Sequence, residues 1–216
     1  MVRDGVFEHT TKSLPVTGSH EGAGTVAAVG SSVVSLKEGD RVMVGIGIHP
    51  CGICAECQAP RDSSRLQYCP NTEGLFGVTT HGAFADYAIA DSRTAAKLPD
   101  AVSFETAAPL ACAGLTVWGG IARANLKKGE WLALVGSGGG LGHLGVQFAK
   151  ALGLNVIGVD ARDGALELSK KMGADIVVDA RKGNEAIFEE VKRVTNGQGA
   201  DATVNVSDAP YVFART

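Results

Sequence analysis

Four of the five cysteines in this chain fall within one short segment and form a pattern suited to metal binding. They are Cys51, Cys54, Cys57 and Cys69, so two C-x-x-C steps are followed by a fourth thiol. In a reducing compartment, where disulfides are rare, four thiolates are typical ligands of a closed tetrahedral zinc site. The spacing predicts a structural zinc ion, because a closed ligand set leaves no position for a substrate.

Two other interpretations of these cysteines stay open from the residues alone. A C-x-x-C-x-x-C run with a later Cys69-Pro70 pair is similar to the ligand pattern of bacterial ferredoxins, which hold iron–sulfur clusters. Those proteins have a much shorter step before the last cysteine, whereas eleven residues separate Cys57 from Cys69 here. Cysteines without a shared role are the simplest interpretation, but four of them in so short a segment make it a poor one.

A glycine-rich segment later in the chain has the residues of a nucleotide-binding loop. Gly140, Gly142 and Gly145 satisfy G-x-G-x-x-G after the apolar run Trp131–Val135, which predicts a strand buried on both faces. From Leu141 onward the apolar residues recur with helical spacing, so the motif lies between a strand and a helix. The first glycine is expected to make a tight turn, the second to admit a pyrophosphate and the third to allow close helix packing. We predict that Gly140, Leu141, Gly142 and Gly145 bind a dinucleotide at the helix N-terminus.

A carboxylate at the end of the next predicted strand indicates which dinucleotide is bound. The apolar run at 155–159 ends in Asp160, twenty residues after Gly140. A carboxylate at this place accepts hydrogen bonds from the ribose hydroxyls of NAD and repels the 2'-phosphate of NADP. The sequence therefore predicts NAD as the cofactor. A glycine-rich turn followed by a surface aspartate is the simpler alternative. It does not explain why the strand, glycines, helix and acid occur together in this order.

The elements that must position these groups divide the chain into two parts. Short strands separated by glycine turns are predicted at 24–29, 41–46, 83–90 and 95–98, and they indicate a small β-barrel. A helical pattern follows at 104–123, and helices at 165–172 and 185–195 then alternate with strands at 176–178 and 202–206. Four parallel strands with three crossovers predict an α/β fold with part of a doubly wound sheet. We place the domain boundary between residues 128 and 129.

Composition and charge exclude several classes of function. The chain of 216 residues has 20 basic and 23 acidic residues, a net charge of -3, which leaves no basic stripe for nucleic acid. No apolar run approaches the length of a membrane span, so no membrane partner is predicted. The first residues, MVRDGVFEHTTKS, lack the apolar core of a signal peptide, and a cytoplasmic location is predicted.

Six segments together carry a specific family pattern. They are GSHEGAGTVAAVG at 18–30, the four-cysteine lobe, GAFADYAIAD at 82–91, APLACAGLTVWGG at 108–120, GSGGGLGHLGVQFAKALG at 136–153 and VIGVD at 156–160. With them the chain resembles the zinc-dependent medium-chain alcohol dehydrogenases, most closely their fungal branch. The resemblance implies a GroES-like catalytic domain at 1–128, with the zinc lobe at 51–69 and a linking helix, and an NAD-binding Rossmann domain at 129–216.

The resemblance also implies a second, catalytic zinc site. The family's zinc-binding histidine of the G-H-E segment and cysteine of the L-C-A-G-x-T segment match His20 and Cys112, whereas either residue alone is more often structural. Glu21 matches the acidic neighbour beside the metal, and Thr116 matches the hydroxyl residue near the nicotinamide. The implied reaction is hydride transfer between a small primary alcohol or aldehyde and NAD, with zinc as Lewis acid.

Some parts of the family pattern have no counterpart in this sequence. The family's third zinc ligand, a cysteine well before the histidine, is missing, and the residues before His20 offer only Asp4, Glu8 and His9 as further donors. The last two of six sheet strands are also missing. We therefore expect a family member shortened at both ends, for which the homo-oligomer typical of the family is not expected. A catalytically impaired zinc- and nucleotide-binding remnant is the alternative function.

Overall fold

Within the described residues, the first compact unit of the chain contains five short strands in two antiparallel sheets. This computed structural model describes residues 15–59 and 65–208. One sheet has the order β1–β2–β5, with β1 at Ala23–Thr25, β2 at Arg41–Met43 and β5 at Ala96–Lys97. The other pairs β3 (Gly47–Ile48) with β4 (Gly74–Leu75). The strands predicted at 24–29, 41–46 and 95–98 therefore exist, but they are shorter than the sequence pattern indicates.

The strand predicted at 83–90 is not formed, and this prediction was wrong. Its backbone pairs only at the start, where the N–H groups of Ala83 and Phe84 donate to Ser19 O at 2.9 Å and to Gly18 O at 3.1 Å. Phe84, Tyr87 and Ile89 are 80, 82 and 85% exposed. Alternating side chains favour a strand only where a neighbouring strand completes the hydrogen-bond ladder, and the described residues supply no such partner beyond Phe84.

The second unit is a parallel sheet with the strand order β8–β7–β6–β9. Its strands are β6 (Trp131–Val135), β7 (Asn155–Asp160), β8 (Ile176–Asp179) and β9 (Ala202–Asn205). The helices that connect them are α4 (Gly140–Ala151), α5 (Asp163–Lys171) and α6 (Asn184–Val194), with a short 3-10 helix at Ala180–Lys182. The predicted partial doubly wound sheet is confirmed.

Both faces of this sheet are covered, as the continuous apolar strands predict. On one face Leu134 packs with Val146 of α4, and both are fully buried. On the other face Ile157 and Val178 pack against Ile187 of α6. Neighbouring residues of a strand point to opposite faces, so a run such as that in β6 must be apolar throughout.

The helical region before the sheet is divided into three pieces. Helix α2 (Phe104–Pro109) begins after Ser103, whose hydroxyl accepts a hydrogen bond from the Thr106 N–H at 3.2 Å. A π-helical turn at Leu110–Gly114 follows, and α3 runs from Leu115 to Ala124. Proline has no N–H to donate, so Pro109 interrupts the regular hydrogen-bond pattern just before the wider turn.

The division between the two compact units falls inside this helical region, since one ends at Cys112 and the other begins at Ala113. Helix α3 belongs to the second unit because Val117 and Ile121 are buried in the same core as Leu134. The sequence analysis places the boundary after α3, at 128/129, whereas the packing places it before α3.

None of the helices in the described parts of the chain combines the length and the apolar character that crossing a bilayer requires.

Candidate functional site

All four predicted ligands of the cysteine lobe come together. The Sγ atoms of Cys51, Cys54, Cys57 and Cys69 all lie within 4.8 Å of one another. Those of Cys54 and Cys69 are 3.9 Å apart. Thiolates on one tetrahedral zinc, with Zn–S distances of about 2.3 Å, are separated by about 3.8 Å. The donor set therefore fits a four-coordinate zinc ion in both chemistry and spacing.

Local backbone structure holds the four thiols in this arrangement. Cys54 directly precedes the short helix α1 (Ala55–Gln58), which contains Cys57. Cys69 follows the 3-10 helix at Leu66–Tyr68 and is buried. The backbone N–H of Cys51 donates to Cys69 Sγ at 3.3 Å, which links the two ends of the lobe.

The thiols of the lobe differ in acidity. The backbone N–H groups of Ile53 and Cys54 lower the pKa of Cys51 to about 6. Burial raises the pKa of Cys57 to about 12. Zinc binds thiolates, so loading this site must release protons from the cluster, and its occupancy must fall in acid.

A second group of possible metal ligands lies in the first unit. His20, Glu21 and Cys112 each offer one donor atom, these atoms all lie within 4.8 Å of one another, and the three residues are half-buried. The structure therefore brings together the histidine, the acid and the cysteine that the sequence analysis singles out. The further donors considered there, Asp4, Glu8 and His9, lie outside the described residues.

His20 and Glu21 are held in place by close backbone packing just before β1. Ser19 has a φ of 73°, and its hydroxyl donates to Glu21 O at 2.9 Å. A Cβ atom at Gly77 or at Gly82 would lie 2.1 Å from Ser19 O, so a side chain at either position would displace this segment. Neither glycine was predicted from the sequence as a positioning residue. The only signal for Gly82 is its place at the start of the 82–91 segment.

Cys112 is positioned by the helical region that begins at α2. The Arg41 guanidinium of β2 donates to Pro99 O at 2.9 Å and to Val102 O at 2.7 Å. It also lies 4.5 Å from the centre of the Phe104 ring, a cation–π contact at the start of α2. The π-helical turn then sets the direction of Cys112, and such turns are frequent at functional sites.

The glycine loop of the second unit is built differently from the predicted assignment. The tight turn lies at Gly136, which has a φ of 82°, whereas Gly140 is the first residue of α4, with open space around its Cα. Gly138 is the position of close approach, because a Cβ there would lie 2.0 Å from Ala165 O. Neither Gly136 nor Gly138 was predicted from the sequence as a loop residue. Their signal was present, since G-x-G also begins at residue 136.

The later glycines of the loop allow α4 to pack closely. A Cβ at Gly142 would lie 2.0 Å from Gly136 O, and a Cβ at Gly145 would lie 2.7 Å from a methyl carbon of Val117. The close packing predicted for the third glycine is present at Gly145. The first turn of α4, which includes the half-buried Leu141, has no acidic residue. The N–H groups at the start of a helix favour an anion.

Asp160 lies at the end of β7 beside this loop and is 8% exposed. One carboxylate oxygen accepts the Gly138 N–H at 3.1 Å, and the other accepts the Ala161 N–H at 2.8 Å. The Arg162 guanidinium lies 3.7 Å from the second oxygen. The backbone N–H of Arg162 also donates to the second oxygen, at 3.4 Å. A carboxylate has about four acceptor positions, so one remains for a ligand hydroxyl. Thr116, the remaining predicted site residue, is an exposed residue near the start of α3 in the same unit.

Comparisons with known proteins identify the same family in both units. Residues 1–100 match the alcohol dehydrogenase GroES-like domain, and residues 140–216 match the zinc-binding dehydrogenase domain. An alcohol dehydrogenase of Schizosaccharomyces pombe is 41% identical over 200 residues, which are 93% of this chain and 55% of that protein.

Solved structures agree with this assignment. The alcohol dehydrogenase of Aeropyrum pernix has a TM-score of 0.77 and 33% identity, over 93% of this chain and 57% of its own. The cobalt- and zinc-bound thermostable alcohol dehydrogenase of Pyrobaculum aerophilum has a TM-score of 0.69 and 32% identity, over 80% of this chain and 51% of its own. The chain thus spans about half the length of the relatives it matches. It belongs to the family of zinc-dependent medium-chain alcohol dehydrogenases.

Proposed function

We propose that this protein acts as an alcohol dehydrogenase that transfers a hydride between a small primary alcohol or aldehyde and NAD. The observation that carries the proposal is the convergence of His20, Glu21 and Cys112, whose donor atoms lie within 4.8 Å of one another. Family membership supports it, and the Pyrobaculum aerophilum relative is described as a zinc-bound alcohol dehydrogenase.

The residues of the first unit would hold and tune a catalytic metal. The His20 imidazole and the Cys112 thiolate are the proposed ligands, and the Glu21 carboxylate adjusts the charge beside them. When bound, zinc supplies a Lewis acid that makes the alcohol hydroxyl easier to deprotonate, and NAD accepts the hydride. The packing of Gly77 and Gly82 against Ser19 fixes the backbone that carries His20, which matters because reaction rates fall steeply with small misplacements.

The residues of the second unit would bind the cofactor. We propose that the N–H groups at the start of α4, from Gly140 through Leu141 to Gly142, hold the pyrophosphate. Gly145 lets the helix approach the sheet, and the remaining acceptor position of Asp160 receives a ribose hydroxyl of NAD. The exposed hydroxyl of Thr116 is proposed to lie near the nicotinamide, as the family pattern implies.

The four-cysteine lobe is proposed to hold a structural zinc ion that reacts with no substrate. Support comes from the closed set of four Sγ atoms, which leaves no open coordination position. A lobe of reduced thiols also favours a reducing compartment, and we propose the cytoplasm as the location.

The proposal is tested by combining metal analysis with an NAD-coupled assay on ethanol and longer primary alcohols. We expect the unsubstituted chain to bind about two zinc ions, one for each cluster, and to form NADH. His20→Ala is expected to lose one zinc ion and its turnover, whereas the control Glu189→Ala, at an exposed acid of α6, keeps both.

Three results would contradict the proposal in different ways. One zinc ion in the unsubstituted chain would remove the catalytic metal site. Two zinc ions without NADH formation would indicate a protein that binds metal and nucleotide but transfers no hydride. Iron with visible absorption would replace the structural zinc with an iron–sulfur cluster.

A further inference from the structure

A buried carboxylate outside both proposed metal sites supports the entrance to the cysteine lobe. Asp91 precedes β5, and its side chain is only 4% exposed. One of its oxygens accepts the backbone N–H of His49 at 2.9 Å, two residues before Cys51. The other accepts the backbone N–H of Arg93 at 2.9 Å. Asp91 therefore ties the backbone that leads into the lobe to the segment before β5.

The guanidinium of Arg93 continues this connection toward the cysteines. Its Nε and Nη2 atoms form a bidentate pair with the Asp91 carboxylate at 2.9 and 2.6 Å. Its Nη1 atom donates to Pro50 O at 2.9 Å, and Pro50 is fully buried. The two residues immediately before Cys51 are thus each held by one member of the pair, at His49 N and at Pro50 O.

Neighbouring contacts make this arrangement rigid. The Thr94 hydroxyl donates to Gly47 O at 3.0 Å. This bond joins the segment before β5 to β3, just ahead of His49 in the chain. A Cβ at Gly45 would lie 2.4 Å from Thr94 O, so the backbones meet without room for a side chain. A buried carboxylate is costly unless it is paired, and Asp91 is paired with both a cation and backbone N–H groups.

We propose that Asp91 and Arg93 form a positioning pair for the four-cysteine site, which holds Cys51 in its ligand position and places a positive charge beside the thiolates. The inference rests on the proposed zinc site and goes beyond it, because neither residue is a ligand. Residues that hold a metal ligand in place without binding the metal contribute substantially to metal affinity.

Charge gives the pair a second role in addition to geometry. A divalent cation on four thiolates leaves a net negative charge, which a nearby cation stabilises. The pKa of Arg93 is raised, first by its hydrogen bond to Asp91 and further by the charges of Asp91, Cys57 and Cys51. A guanidinium is charged throughout the ordinary pH range, so Arg93 brings a positive charge to Pro50, the residue next to Cys51.

The test measures how fast the lobe releases metal. We would use the full chain with Cys112→Ser, so that only the lobe reports, and follow zinc transfer to a chromophoric chelator. Arg93→Gln and Asp91→Asn are expected to release zinc about 10- to 100-fold faster, the usual effect of losing a residue that supports a ligand. Arg93→Lys keeps the charge but loses the planar guanidinium. Its rate of zinc release is expected to lie between those of the Cys112→Ser parent and of Arg93→Gln.

A matched control separates this effect from general destabilisation. Arg193 pairs with Glu190 at 2.5 Å on α6 of the other unit, so Arg193→Gln removes an exposed arginine–carboxylate pair without touching the lobe. A spectrum of the cobalt-loaded protein supplies a second readout, because a ligand shift at Cys51 changes its thiolate-to-metal bands. We expect such a change for Arg93→Gln and none for Arg193→Gln. Arg93 is about half exposed, so this variant is expected to fold even if Asp91→Asn does not.

The outcomes distinguish this inference from the zinc proposal beneath it. Release rates and cobalt spectra of Arg93→Gln like those of the Cys112→Ser parent, with zinc present, would overturn the positioning role alone. An equal acceleration by Arg193→Gln would also overturn it. Absence of zinc from the lobe of the unsubstituted chain would overturn the proposed zinc site instead.

Discussion

The carboxylate of Asp160 accepts a hydrogen bond from the backbone N–H of Gly138, with 3.1 Å between the two atoms. This bond joins the end of β7 to the loop that follows β6, so the acid and the glycine loop are held as one unit. A ligand that spans the loop and the end of β7 would find both already positioned, and a preorganised site loses less free energy on binding.

We predict that the protein binds NADH more tightly than NADPH, because the Asp160 carboxylate accepts ribose hydroxyls and repels a 2'-phosphate. Asp160→Asn keeps the shape of the side chain but removes its charge. It is expected to weaken NADH binding about tenfold and to reduce the ratio of NADH affinity to NADPH affinity. Fluorescence titration with both reduced cofactors measures this. The control is Asp163→Asn, a change at an exposed acid on α5 that should leave both affinities unchanged. Equal or tighter NADPH binding by the unsubstituted chain would contradict the prediction.

Two glycines of the loop make a matched pair for testing its packing. A Cβ at Gly142 would lie 2.0 Å from Gly136 O, whereas a Cβ at Gly140 would meet no atom within 4 Å. We expect Gly142→Ala to lower the melting temperature and to abolish NADH binding, since backbone must move to relieve the clash. Gly140→Ala should keep the melting temperature within a few degrees and retain binding. Thermal denaturation and NADH titration of both variants decide it, and similar behaviour of the two would show that the loop is not packed as described.

Replacing a single thiol of the lobe should affect metal content and stability together. Cys54→Ser leaves three thiolates at a site that needs four, and metal binding contributes folding free energy. We expect this variant to lose one zinc ion and to melt at a lower temperature. Removing zinc from the unsubstituted chain with a chelator should lower its melting temperature to a similar value. Full zinc content with unchanged stability in Cys54→Ser would show that the lobe holds no structural metal.

Asp40 is expected to stabilise the first unit in a pH-dependent way. The Lys97 ammonium, at 2.8 Å, and the backbone N–H of Lys37 lower the pKa of Asp40 from 3.8 to about 2. Because this pKa is depressed in the folded state, the stabilisation is complete above pH 3.8 and is lost as the pH falls through about 2.

We therefore expect Asp40→Asn to melt below the unsubstituted chain at neutral pH, and the difference to shrink as the pH falls from 3.8 toward 2. Comparing the two proteins at each pH cancels any loss of metal common to both. Asp86→Asn, a change at an exposed acid of the same unit, is the control and should show no such trend. A difference that is constant with pH would assign the role of Asp40 to packing instead of charge.

Local sequence patterns were sufficient to predict much of the fold of this protein. The four-cysteine lobe was predictable because its ligands lie close in sequence, and zinc coordination requires few donor types at short spacing. The strand, glycine loop, helix and acid from Trp131 to Asp160 were predictable because a buried strand and an amphipathic helix leave different periodicities. The four parallel strands followed from the same alternation.

Other features depend on contacts between segments distant in sequence, and these were decided by the tertiary structure. His20 and Cys112 come together because the segment before β1 lies near the π-helical turn at Leu110–Gly114, which no local spacing encodes. The tight turn lies at Gly136, where a Cβ would lie 3.2 Å from Val206 O, and the close approach lies at Gly138, where a Cβ would lie 2.0 Å from Ala165 O. The strand expected at 83–90 fails because a ladder needs a partner as well as a pattern. The proposed positioning pair of Asp91 and Arg93 also depends on contacts between distant segments. Folding brings these two side chains to the backbone of the two residues before Cys51.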